Sequence, residues 1–200
     1  MNKKIILIVG VFFFFTGVLQ AKSIGIAFEI GPNYTNHQIH RFGESNNSGF
    51  GTHSIIFKHM GGFNLAIAYS LPKKWSLYAS TTFAFNATFV NDTQLGIGYN
   101  FALGKDFNLF FGGGFAIGGS KFTEKINNKT KEYLKYTNIG GGLKLTASYM
   151  FTKTLGIYFG AAANYYKPIK GYIWGTEIAS RNLPNMAKSI NVQAGLKIGI

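Results

Sequence analysis

The amino-acid sequence predicts an all-β protein, an eight-stranded antiparallel up-and-down transmembrane β-barrel. Eight segments alternate large apolar residues with small or polar ones, the period-two signature of strands whose two faces meet different surroundings. The connections between these segments alternate between short and long. Charged residues are 14% of the chain, against about a quarter in soluble domains, which leaves too little charge to coat a water-facing sheet. Mean hydropathy is only +0.10, so the chain is half greasy and half polar rather than apolar throughout.

The amino-terminal segment comes first. Asn2, Lys3 and Lys4 precede an apolar run from Ile5 to Phe15, and Thr16, Gly17, Val18, Leu19, Gln20 and Ala21 follow. This is the order of a secretory signal peptide. Residues 1–21 are therefore expected to be removed after Ala21, leaving 22–200 as the barrel. The run is shorter than the about 20 apolar residues of a spanning helix.

The first strand alternates Ile24, Ile26, Phe28 and Ile30 with Gly25, Ala27, Glu29 and Gly31, and Pro32 is expected to end or bend it. A loop rich in Gly, Asn, Ser and His is expected from Asn36 to Ser54. The second strand, Ile55 to Ser70, sets Phe63, Leu65, Ile67 and Tyr69 outward, with a bulge allowed at Gly61 and Gly62. Leu71, Pro72, Lys73 and Lys74 make a tight turn. The third strand runs from Trp75 to Phe89, and Asn91 and Asp92 are expected to reverse the chain. The fourth sets Leu95, Ile97, Tyr99, Phe101 and Leu103 against Gln94, Gly96, Gly98, Asn100 and Ala102, and Gly104, Lys105 and Asp106 turn into the fifth, Phe107 to Ile117.

A basic loop is expected from Gly118 to Leu134. The sixth strand, Lys135 to Phe151, shows Ile139, Leu143, Leu145, Ala147 and Tyr149 on its apolar face, and Thr152, Lys153 and Thr154 turn into the seventh, Leu155 to Tyr165. A loop from Tyr166 to Ala187 leads to the closing strand. There Ile190, Val192, Ala194, Leu196, Ile198 and Ile200 share one face.

The second face decides where the barrel belongs. It carries Gly, Ala, Ser, Thr, Asn, Gln and Tyr, which suits a cramped lumen, because eight strands leave an interior that side chains just fill. The large-residue face of these eight strands carries no Asp, Glu, Lys or Arg. A cation at the bilayer midplane would cost about 2–4 kcal/mol. Aromatic residues near both strand ends, Tyr69, Trp75 and Tyr99 at one and Phe89, Tyr133, Tyr136, Tyr165 and Tyr166 at the other, fit two interfacial girdles.

In strand number, loop alternation and strand-terminated end, Ile24 to Ile200 resembles the small eight-stranded outer-membrane barrels of the OmpA transmembrane-domain, OmpX and OmpW types. The Lys-, Asn-, Ile- and Phe-rich composition is similar to small surface barrels of spirochaetes and related bacteria. The resemblance implies outer-membrane lipid and the barrel-assembly machinery as partners, although Ile200 departs from the Phe or Trp with which that class usually ends. It also implies periplasmic termini and short turns, with long loops outside. A monomer is expected, without cofactor or nucleic-acid partner.

Function then rests on the charges. Glu29, Lys58, Lys144 and Lys197 fall on inward faces, and Glu29 and Lys197 are expected to pair because the first and last strands must be neighbours. They would line a selective pore or, in so narrow a lumen, a polar plug that fixes register. Lys121, Lys125, Lys129, Lys131 and Lys135 in the third of the four outer loops, and Lys167, Lys170 and Arg181 in the fourth, the second around Asn91 being short, form a cationic surface for sulfated glycans, acidic host proteins or lipid phosphates. The equally open reading is a solvated loop.

His37, His40, His53 and His59 all lie in or beside the first loop, but their spacing matches no closed zinc pattern, so no metal is expected. A lipid-modifying enzyme of this architecture would need a Ser, a His and a carboxylate together. His53 and Ser54, with Glu44 or Asp92, are poorly placed for it, because adjacent strand residues point to opposite faces. The expected protein is thus a non-enzymatic surface barrel that adheres to host or extracellular polyanions, with a narrow pore as the alternative.

Overall fold

A computed structural model describes residues 25–42, 53–86, 88–126 and 129–200. Its strands are β1 (Ile26–Phe42), β2 (His53–Ser70), β3 (Trp75–Phe85), β4 (Thr88–Ala102), β5 (Phe107–Ile126), β6 (Lys129–Met150), β7 (Leu155–Ile173), the two-residue β8 (Thr176–Glu177) and β9 (Ala187–Gly199). Consecutive strands pair antiparallel from β1 to β7, and β9 pairs with both β7 and β1, closing a ring of eight. β8 folds back onto the end of β7 outside that ring. At the seam Ile26 and Ile200 exchange backbone hydrogen bonds of 3.1 and 2.8 Å.

Burial is inverted relative to a protein that keeps its apolar side chains inside. Leu143 and Phe159 are 55% and 61% exposed, whereas Asn64 and Thr35 are fully buried. The apolar coat needs hydrocarbon around it, because water would penalise it at about 25 cal/mol per Å². The buried amides and hydroxyls need partners across a filled lumen. Strand pairing and side-chain parity together produce this arrangement, since odd residues of β3 to β6, odd residues of β7 up to Ile169 and even residues of β1 and β9 face out, and the register shift at Ile169 reverses the parity so that Lys170 faces out and Ile173 in.

Several boundaries differ from the sequence expectations. β1 does not end at Pro32 but runs to Phe42. Its pairing with β9 is broken at Gly31 and Pro32 and resumes in the same register at Asn33. Proline has no N–H for that ladder, yet it leaves the pairing with β2 intact. Gly61 and Gly62 keep ordinary register with β1 rather than forming a bulge. The chain reverses between Phe85 and Thr88, so Asn91 and Asp92 lie inside β4. The expected basic loop is largely a continuation of β5 and β6, 20 and 22 residues long. About 9–11 residues suffice to cross a bilayer, so this hairpin stands well beyond it. Tyr136 and Tyr166 point inward and are buried, and so do not belong to a girdle. The expected signal peptide and the turn residues 43–52 lie outside the described residues.

Candidate functional site

The lumen is built in layers, beginning near the short turns. Asn108 donates to Asn100 at 3.0 Å and Asn100 to Ser76 at 2.6 Å. Above them the Phe110 ring meets Tyr78 edge-on at 5.4 Å. A Cβ at Gly98 or Gly112 would overlap the Phe110 ring, so these glycines make the space it occupies.

The charged layer follows. Lys144 reaches across from β6 to donate to Glu29 at 2.9 Å and to Ser80 at 3.3 Å. Lys197, which faces Glu29 directly across β1 and β9, stands 3.5 Å from its other oxygen and donates to Ser148 at 3.2 Å. Glu29 and Lys144 are buried, with side chains 8% and 3% exposed. Two cations around one carboxylate compensate the desolvation that a lone buried charge would suffer. Lys58 does not join them. It has the inward parity of β2, but it pairs with His37 far up the strand and is exposed there.

An amide layer lies above. Asn64 accepts from Ser80 and Thr82 at 3.1 and 3.3 Å and donates to the Tyr158 hydroxyl at 3.3 Å. Tyr78 donates to Gln94 at 3.2 Å, and Gln94 in turn donates to Asn164. Higher again, Asp92 accepts from Tyr166 at 2.9 Å, from Ser189 and from Asn191 at 3.4 Å. This centre was not legible as such, because Asp92 reads as a turn residue. The inward alternation Val90, Asp92, Gln94 was the signal that could have found it.

The mouth is closed by a small apolar core of Ile39, Phe122, Leu134, Tyr136, Ile173 and Ile178, with Leu183 packed against it. Ile178 comes from the segment after β8, whose amide bonds back to the Gly171 carbonyl at 2.9 Å. That segment is a lid. Tyr136 also donates to the His40 carbonyl at 3.1 Å, fastening β6 to β1 across the opening.

The cations divide into two groups. Lys121, Lys135, Lys167 and Lys170 are exposed on the outward wall of β5, β6 and β7. Lys170 lies 3.9 Å from Glu177 and 5.4 Å from the Tyr172 ring centre, and its hydrogen bond with Tyr172 raises its pKa, with Glu177 adding to the rise. Arg181 is exposed on the lid in a short turn, Ser180–Asn182. Lys125, Lys129 and Lys131 occupy the tip of the hairpin, where their side chains lie outside the described residues.

The histidines do not converge. His37 is buried on the inward face of β1, while His40 has the opposite parity and its ring meets the Met186 carbonyl at 2.6 Å. The His53, Ser54 and Glu44 side chains lie outside the described residues. Asp92 is walled inside the lumen, away from them.

The fold is similar to that of solved outer-membrane proteins. OprG from Pseudomonas aeruginosa superposes with a TM-score of 0.57 at 8% identity, over 88% of this chain and 95% of its own. Neisserial surface protein A gives 0.55 at 13% identity, over 86% and 97%. Outer membrane protein AlkL, solved in lipid bilayers, gives 0.53 at 7% identity, over 88% and 90%. These likenesses establish the fold. No curated protein matches in sequence. A family model described as "Domain of unknown function (DUF2715)" matches residues 20–200.

Proposed function

The chain belongs to the DUF2715 family, and from that premise we propose that it is a non-conducting, non-enzymatic outer-membrane barrel that carries a basic β-hairpin beyond the lipid to bind polyanionic ligands. The filled lumen carries this reading. Side chains from Asn108 to the Ile178 lid occupy the axis, and the Glu29, Lys144 and Lys197 cluster sits across its middle. The apolar coat supports placement in the outer membrane. The long-loop end is assigned to the outside because β5 and β6 project there.

The alternative of a narrow pore is tested directly. In planar bilayers the full-length barrel is expected to give no unitary conductance, and reproducible channel steps would overturn the plug. Ligand binding is tested with a heparin fragment over rising salt. Wild type is expected to bind and to weaken as salt screens the lysines, while K125A/K129A/K131A loses most of the affinity. Absent or salt-indifferent binding would end the adhesion reading.

A further inference from the structure

The lysines on the barrel wall are placed differently from those at the hairpin tip. On β5 the last outward apolar residue is Ile117, and Lys121 follows two outward positions later. β6 repeats this with Ile139 and Lys135. On β7 Tyr165 is followed outward by Lys167, and on β9 Ile190 by Lys188, with the exposed Ile169 and Met186 one step further on. Four neighbouring strands therefore change from hydrocarbon-loving to cationic at nearly one level.

That level matches a specific layer of a membrane. One outward step is two residues, or about 7 Å of strand, and about 5 Å along the bilayer normal at the usual barrel tilt of about 40°. The headgroup layer adds about 5–7 Å beyond the hydrocarbon on each side. Lys167 and Lys188 thus stand in that layer. Lys121 and Lys135 stand just above it, and their flexible stems let the ammonium groups reach back.

The arrangement is one-sided. Among the described residues, the outward faces of β1 to β4 carry no Lys or Arg at the matching level, where Tyr34 stacks on His59 with ring centres 5.8 Å apart and Phe57 is exposed; the exposed Lys58 between them has the inward parity of β2. General anchoring at an interface would distribute cations around the ring. Lys121 and Lys135 also face each other directly across β5 and β6. Tyr165 lies beneath the Lys188 ammonium at 5.3 Å and holds it at the wall.

We propose that this β5–β6–β7–β9 wall is a binding site for the phosphate groups of anionic lipids in the leaflet on the long-loop side, formed by Lys121, Lys135, Lys167 and Lys188. The site rests on the membrane placement proposed above, and it separates the wall lysines from the tip lysines that serve soluble ligands. A soluble polyanion would have to enter the headgroup layer to reach the wall.

The test uses the full mature chain reconstituted in phosphatidylcholine vesicles containing a minor share of phosphatidylglycerol, extracted with its surrounding lipid by an amphipathic polymer. Lipid mass spectrometry reads the phosphatidylglycerol share. Wild type is expected to enrich it roughly fivefold over the bulk, about what one well-placed lysine gives at an anionic surface. K121Q/K135Q/K167Q should fall to the bulk ratio, and the charge-matched K125Q/K129Q/K131Q should keep the enrichment. Inorganic phosphate at equal charge should not displace the lipid; displacement would assign the site to free phosphate and overturn the proposal. It also fails if wild type shows no enrichment or the wall variant equals wild type. If heparin binding tracks the wall lysines instead, a soluble polyanion is the occupant. A chain that never enters the vesicles refutes the membrane placement itself, whereas loss of heparin binding alone refutes only the adhesion reading.

Discussion

Glu29 shows how much one lumen side chain holds. Replacing it in E29Q leaves Lys144 and Lys197 buried or half-buried without their carboxylate, and the expected loss is about 3–5 kcal/mol. Urea unfolding in lipid vesicles, followed by heat-modifiable gel mobility, measures it. E29L/K144M/K197M should recover most of the loss, because an apolar replacement of the whole buried cluster leaves no unpaired charge behind. An E29Q barrel as stable as wild type would mean that the charges are hydrated in the lumen. Gly142 gives a second test, since a Cβ there would overlap the Gln94 amide and the Asn164 carbonyl. G142A should therefore cost about 1–3 kcal/mol by overpacking, read in the same assay. The Glu29–Lys197 contact was legible because first and last strands must meet in any closed ring. Lys58 was misjudged because alternation reveals the face of a strand but not the height along it. His37 and His40 illustrate the same rule, as their odd spacing alone sends them to opposite faces.

The β5–β6 hairpin and the lid over it form the element least visible in the sequence. Gly118 to Leu134 is polar enough to read as a loop, yet Phe122 and Leu134 hold inward positions and bury against Ile178. Truncating L134A should cost about 2–5 kcal/mol in that small core. The expected effect is local. Hydrogen exchange should quicken at Ile173 and Ile178 while the mobility of the folded barrel on gels stays unchanged, and uniform loss of protection would show that the cap is coupled to the whole ring. The turn after β3 was missed for a different reason. Phe85 and Phe89 share outward parity, so moving the reversal along the chain left every face assignment intact and the alternation carried no information about it. Asn91 and Asp92 then drew the turn by composition alone. In the structure Asn91 is on the wall, donating to Thr81 at 3.3 Å, and Asp92 is in the lumen.

The barrel as a unit was the most legible feature, because eight alternating runs with sorted connections admit few other closures. Its orientation is checked on intact cells. External protease should cut near Lys129 at the hairpin tip and spare Lys105 at the opposite end, and the reverse pattern would invert the topology. Depth in the bilayer was less legible, since strands of 20 and 22 residues exceed what a membrane needs and nothing in the alternation marks where lipid stops. The lysines mark it instead, being absent from the coat below Ile117, Ile139, Tyr165 and Ile190 on those four strands and present above.

The seam between β1 and β9 joins segments separated by most of the polypeptide. Until β9 docks, β1 and β7 each present a row of unsatisfied amides and carbonyls, the kind of edge that recruits another chain. A chain shortened before Ala187 should therefore assemble into aggregates rather than into a smaller ring. Because Ile26 and Ile200 already hydrogen-bond to each other, a short peptide linking them should permit new ends at residues 127–128, producing a circular permutant whose last-made strand is β5.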